Sequence, residues 1–245
     1  MSGHSKWSTI KHKKAATDAR RGKLFSKILK EITVAARMGG GDPKGNPRLR
    51  TALLEARSNS VPGDNIDRAI KKGTGELEGE TYEEVIYEGY GTGGVAVLVE
   101  AATDNRNRTT AEVRHLFTRH GGSLAEAGSV AWMFKRRGWF SVDQEGMTEE
   151  QLMELALELG VDDFSAEDGH YELYAAPEDF TAVQEALEAR NVALAAKELA
   201  MIPQTTVEVP ADRINQVLRL LEALDDHEDV QKVWANVDID ESVLA

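Results

Sequence analysis

Residues 138–201 read GWFSVDQEGMTEEQLMELALELGVDDFSAEDGHYELYAAPEDFTAVQEALEARNVALAAKELAM. The aromatic and β-branched run Trp139–Val142 is expected as a strand. Thr148–Leu159 is predicted as a helix, because Thr148 and Gln151 stand three apart as a capping box ahead of an apolar-periodic stretch. Asp163–Ala166 and Tyr171–Ala175 are expected to form a hairpin about Asp168-Gly169. Pro177–Ala189 is predicted as a helix with Phe180, Val183 and Leu187 inward, and Val192–Met201 contains a last strand. The order β-α-β-β-α-β is the ferredoxin-like arrangement.

The flanks are also mixed. Strands are expected at Glu84–Glu88 and Val95–Ala102, then a helix from about Asn107 to His120 closed by Gly121-Gly122, then a strand at Val130–Phe134. Beyond the ferredoxin-like stretch come a strand at Thr205–Val209, a helix with Ile214, Val217, Leu218, Leu221 and Leu224 at helical spacing, and a final strand at Val230–Val237. These cannot all join a unit that is already complete. They are expected to return to the earlier flank and finish its sheet. The expected fold class is therefore α+β and multidomain: a helical domain over 1–78, a discontinuous α/β domain over 79–136 and 203–245, and an inserted ferredoxin-like α/β domain over 137–202.

The segment 1–78 reads as helical. A short helical stretch is expected around Ala15–Arg20. From Lys23 to Met38, Leu24, Ile28, Leu29, Ile32, Ala35 and Ala36 lie at helical spacing. Lys23, Lys27, Lys30 and Arg37 make a charged stripe beside that face. Asn46-Pro47 suits a helix start. A third helix is expected from near Pro62 to Gly73, its expected C-cap, with Gly73–Glu80 as a linker.

Charge sets the functional reading. The 245-residue chain carries a net −13. Residues 1–75 hold 17 lysines and arginines against 6 acidic residues, leaving 12 against 36 for the rest. A basic module tied to an acidic body points to a polyanionic partner, nucleic acid first. Lys6, Lys11, Lys13, Lys14, Arg20, Arg21, Lys23 and Lys27 are the candidate phosphate contacts. Trp7 and His12 lie among them. Trp7 suits either of two roles, stacking on an exposed base or pegging the segment to the helices. A second candidate is Asp104–Thr110 (DNRNRTT), between a strand and a helix start. Arg106, Arg108 and backbone N–H groups there suit a phosphate. The alternative is local, with Asn107 capping the helix and the arginines pairing with nearby acids.

Other chemistries find little support. The chain has no cysteine, hence no disulfide or thiolate metal site. Its six histidines show no metal-ligand spacing. Gly89–Gly94 matches G-x-G-x-x-G literally, but a strand follows it rather than a helix, so a hairpin loop is expected instead of a dinucleotide site. Neither a nucleophile elbow nor a phosphate-binding lysine loop is present. No enzyme activity, cofactor, metal or small-molecule substrate is expected. Without a signal-like or membrane-length apolar run, a cytoplasmic protein with no membrane partner is expected.

Four stretches together resemble the YebC/PmpR family: GHSKWSTIKHKKAATDARRGKLFSKILKEI at 3–32, NPRLRTALLEARSNSVPGDNIDRAIKKG at 46–73, YEGYGTGGVAVLVEAATDNRNRTTAEVR at 87–114 and GSVAWMF at 128–134. The resemblance implies a helical N-terminal domain and two α/β domains, one nested in the other. It further implies a DNA-binding regulator of transcription. Related proteins act instead on ribosomes as translation factors, including a mitochondrial activator of translation, and some bacterial relatives are linked to relief of stalling at proline-rich stretches. On that alternative the basic module meets ribosomal RNA or transfer RNA, and the lack of an evident base-reading element suits it, because RNA is often recognised by shape and backbone.

Overall fold

The computed structural model describes residues 18–143, 148–167 and 170–239. Helix α1 spans Asp18–Gly39, α2 Pro47–Ser58 and α3 Gly63–Thr74. Their shared core is built from Ile28, Ile32, Ala35 and Ala36 of α1 with Leu49, Ala52 and Ala56 of α2 and Ala69 of α3. Asn46 joins two of the helices. Its Oδ1 accepts from the Leu49 N–H at 3.0 Å and caps α2, while its Nδ2 donates to the Ala35 and Gly40 carbonyls at 2.8 and 2.9 Å. One buried amide thus satisfies orphan groups of two helix ends.

Gly73 does not close α3. The helix runs on to Thr74 and is capped by Gly75 at φ 82°. Gly73 is needed for a different reason: a methyl there would collide with the Thr33 carbonyl and lie 2.7 Å from the Ala36 Cβ. It lets α3 approach α1 closely.

The first sheet has the order β3-β1-β2-β9, with β1 at Glu83–Tyr90, β2 at Ala96–Thr103, β3 at Ser123–Leu124 and β9 at Val230–Ala235. β1 and β2 form the expected hairpin about the glycine-rich loop, whose Gly93 and Gly94 both sit near φ 80°. One face of this sheet presents Val97, Val99, Ala101 and Val233. They pack under α4 (Arg106–Arg119) and α7 (Ala211–Asp225) through Val113, Phe117, Ile214, Leu220 and Leu224. The other face carries Ala96, Leu98 and Trp234 against Val130 and Phe134. β9 pairs antiparallel with β2 from Val97↔Ala235 to Ala101↔Val230, so two strands from opposite sides of the inserted stretch share one ladder. β8 (Val207–Glu208) and β10 (Val237–Asp238) form a small parallel pair.

The second sheet is antiparallel, in the order β5-β6-β4-β7. It contains β4 (Phe134–Asp143), β5 (Asp163–Glu167), β6 (His170–Ala175) and β7 (Leu194–Pro203). Helices α5 (Glu149–Glu158) and α6 (Phe180–Ala189) cover it through Leu152, Leu155, Phe180, Val183 and Leu187, above Phe140, Val142 and Leu173. This is the ferredoxin-like strand order. The capping box is formed, with the Thr148 hydroxyl accepting from Gln151 N–H and the Gln151 side chain accepting from Thr148 N–H. The hairpin turn Asp168-Gly169 lies outside the described residues.

One expected strand is absent. Ala131–Met133 is a single 3-10 turn, and β4 begins only at Phe134. The N–H groups of Gly128, Val130 and Ala131 are taken by the Glu88 carboxylate at 2.6, 2.6 and 2.8 Å. Donors committed to a side chain are not available to a ladder.

Candidate nucleic-acid interface

The expected phosphate contacts fall into three groups. Lys6, Trp7, Lys11, His12, Lys13 and Lys14 lie outside the described residues; of the helical stretch expected around Ala15–Arg20, residues 15–17 lie outside them and Asp18–Arg20 open α1. Arg20 and Arg21 lie on the backbone of α1, but their side chains are outside the description. Lys23, Lys27, Arg106 and Arg108 are placed.

The charged stripe of α1 meets an acidic loop. Lys23 pairs with Asp226 at 3.2 Å, Lys27 with Asp225 at 3.3 Å and Lys30 with Asp229 at 2.8 Å. The same three amines also donate to the carbonyls of Asp226, Asp225 and Glu228. Lysines at i, i+4 and i+7 stack along one face of a helix, and here they grip the last residue of α7 and the segment joining it to β9. Only Lys23 stays half exposed, at 54%, against 14% for Lys27 and 12% for Lys30.

Asp229 is the centre of this contact. It is 2% exposed. Its Oδ1 accepts from Lys30, and its Oδ2 accepts from Arg108 and Thr109, each at 2.7 Å, and from Thr103 at 3.2 Å. Burial works against its charge, but the hydrogen bonds from Lys30, Arg108 and Thr109 outweigh it and hold the carboxyl well below the usual carboxylate range. Arg108 also reaches Asp104 at 2.9 Å. Asn105, not Asn107, caps α4, its Oδ1 accepting from Arg108 N–H at 3.1 Å. The apolar period suggests Asn107, which stands at its edge. The cap falls two positions earlier because β2 delivers the chain to Asn105 directly, with Asn105 N–H held by the Thr103 hydroxyl. Arg106 is exposed, and among the described residues no ion pair to it is found.

Glu112, His227 and Asp229 bring metal-capable atoms within 4.8 Å of one another, beside an open pocket of about 490 Å³ lined also by His115 and Leu116. These donors are already spent. His227 Nδ1 accepts from Asp229 N–H at 3.1 Å, so Nε2 carries the proton toward Glu112 at 2.9 Å. Lys30 and Arg108 stand over Asp229. The set does not suit a cation.

Glu88 is a position whose role sequence reasoning missed. It is 5% exposed in mid-strand. Burial opposes its ionisation, but the backbone N–H groups of Gly128, Val130 and Ala131 prevail and lower its pKa. The sequence signal is an acid set between Tyr87 and Gly89, both of which are buried. Nothing local reveals that its partners lie in a loop beyond β2, α4 and β3.

A mixed α+β chain with antiparallel sheets is what these elements define, and solved structures contain the same fold. A conserved hypothetical protein from Aquifex aeolicus is 50% identical in its crystal structure, with a TM-score of 0.86 over 96% of this chain and 98% of that one. Residues 5–76 match the TACO1/YebC protein N-terminal domain, and residues 82–237 match the TACO1/YebC second and third domain. The chain belongs to the TACO1/YebC family. A probable transcriptional regulatory protein of Desulfotalea psychrophila is 54% identical over 100% of this chain and 98% of its own length. One from Natranaerobius thermophilus is 55% identical over 100% and 99%. Among the described residues, no helix is long and apolar enough to cross a membrane.

Proposed function

We propose that this protein is a nucleic-acid-binding regulator of gene expression, acting on DNA, with its contact made by the basic segment that precedes and opens α1. The observation that carries this reading is the charge division: 17 basic against 6 acidic residues up to position 75, and 12 against 36 thereafter. The naming of its relatives as probable transcriptional regulatory proteins agrees with it. Lys6, Lys11, Lys13, Lys14, Arg20 and Arg21 form the primary contact. Trp7 and His12 stack or orient within it, and half-exposed Lys23 extends it. Exposed Arg106 is an accessory contact. Lys27 and Arg108 join only where their internal pairs with Asp225 and Asp229 open. The protein works in the cytoplasm without cofactor or catalysis. Its units are 1–78, 79–136 with 203–245, and 137–202, a division supported by separate buried clusters and by the β2–β9 ladder.

The test is crosslinking in cells with parallel sequencing of bound DNA and RNA. Promoter DNA is the expected catch, and recovery of ribosomal RNA without it overturns the transcriptional assignment. In vitro, replacing Lys11, Lys13 and Lys14 with Ala should weaken binding and make its salt dependence shallower, each lost phosphate contact reducing the log–log slope by about 0.9 on duplex DNA.

A further inference from the structure

Trp132 is 68% exposed, which is unusual for the largest apolar side chain. Its loop is held firmly. Glu88 accepts from three backbone N–H groups of the loop. The Tyr90 hydroxyl donates to the Ser129 carbonyl at 3.1 Å, and the Gln204 side chain donates to the Trp132 carbonyl at 3.0 Å. The indole N–H is itself spent on the Ser129 carbonyl at 3.1 Å. The ring is therefore oriented from within and offers the outside only its apolar surface.

The surroundings narrow the choice of ligand. The other large exposed apolar side chains among the described residues, such as Ile86, Met153 and Leu157, lie on other elements, so the loop itself offers one ring and no second large exposed apolar anchor. In the strand leaving the loop, buried Phe134 is followed by Lys135 and Arg136, both exposed. Successive strand side chains point to opposite faces, and Arg136 lies close enough to the Glu84 and Glu100 carboxylates to act on both, which leaves Lys135 as the cation of the loop's side. The short chain between them keeps Lys135 within about 11 Å of Trp132. A rigid aromatic face with an exposed lysine three residues on matches one base and a neighbouring phosphate.

We propose that Trp132 is a stacking platform for an unpaired nucleobase, making the Glu88-anchored loop a binding site for single-stranded nucleic acid, separate in sequence from the basic N-terminal segment. This rests on the nucleic-acid reading above. Duplexes hide the faces of their bases, so the site discriminates single strands from double strands, and it tolerates sequence because every base has a π face.

Fluorescence tests this directly. Trp139 and Trp234 are buried at 0% and 2% exposure, so in a Trp7→Phe background the solvent-exposed emission belongs to Trp132. Short oligouridylate and oligothymidylate are titrated into the full chain, with a duplex as control. Binding of either oligonucleotide should quench that emission. Adding Trp132→Ala should abolish the quench and weaken single-strand affinity roughly tenfold, with duplex affinity unchanged. Trp132→Phe should restore most of the affinity. Equal loss for duplex and single strand, or unchanged single-strand affinity in Trp132→Ala, overturns the site. The Lys11, Lys13 and Lys14 variant separates the two readings. If it loses both probes while Trp132→Ala loses neither, the N-terminal contact stands and the Trp132 site falls. If the unmodified chain, with Trp7 in place, binds neither single strand nor duplex, both fall.

Discussion

Asp229 and Glu88 are both carboxylates with almost no exposure, 2% and 5%, yet they are satisfied by opposite means. Asp229 draws its partners from several elements: Lys30 of α1, Arg108 and Thr109 of α4, and Thr103 of β2. Glu88 draws backbone N–H groups from one loop. The first is a joint between the helical part and the sheet. The second shapes a loop. A buried charge answered by opposite charges ties distant pieces together, and one answered by peptide dipoles fixes a local form.

The strongest way to break this contrast is Asp229→Ala. It strands the Lys30 ammonium in a largely buried position and should cost about 3–5 kcal/mol, read as a lower urea midpoint. The loss should fall mainly on the docking of α1, seen as faster hydrogen exchange along that helix.

Glu88→Ala should cost less, about 2–3 kcal/mol, because the stranded N–H groups belong to a loop that water can reach by local opening. Its signature is local. The 128–133 segment should gain exchange and protease sensitivity while α1 stays protected. If Glu88→Ala loosens α1 as much as Asp229→Ala does, the distinction between joint and loop fails.

Acid titration sharpens the comparison. Both carboxyls are depressed in the folded chain, and their ordinary values are about 3.9 and 4.3. A depressed carboxylate stabilises fully above its unfolded value and loses that contribution as pH falls through its folded value. Unfolding stability should therefore fall below about pH 4. In Asp229→Asn and Glu88→Gln the fall should be shallower from a lower starting stability, and an unchanged slope in either would remove that residue from the account.

The smallest effect belongs to Lys23→Ala. This pair is half exposed, so its loss should change stability by at most about 1 kcal/mol. Because Lys23 is also a proposed phosphate contact, nucleic-acid affinity should drop even where stability barely moves. A stability loss matching that of Asp229→Ala would show that the whole stripe acts as one joint.

Local order is readable without coordinates. The ferredoxin-like succession, the Thr148–Gln151 capping box, the β1–β2 hairpin and the Asn46 cap each depend on groups a few positions apart. The periodicity of α1 likewise marks Ile28, Ile32, Ala35 and Ala36 as core. Misreadings arise where a distant group intervenes. Gly73 resembles a cap because glycine ends helices, but the Thr33 carbonyl is what demands it. Val130–Phe134 resembles a strand because it is apolar, but Glu88 claims its donors. Lys23 and Lys27 resemble open phosphate contacts because their stripe is regular, but Asp226 and Asp225 already meet them.

The amino-acid sequence by itself determined the succession of helices and strands, the division of charge between a basic N-terminal part and an acidic remainder, and the family. Hydrophobic period, capping and turn chemistry act over short stretches and are written in order along the chain. Only the tertiary structure decided which charges remain available, since an ion pair between Lys30 and Asp229 spans 199 positions and depends on where the folded core sets two surfaces against each other. The same packing leaves Trp132 outside while Trp139 and Trp234 are enclosed.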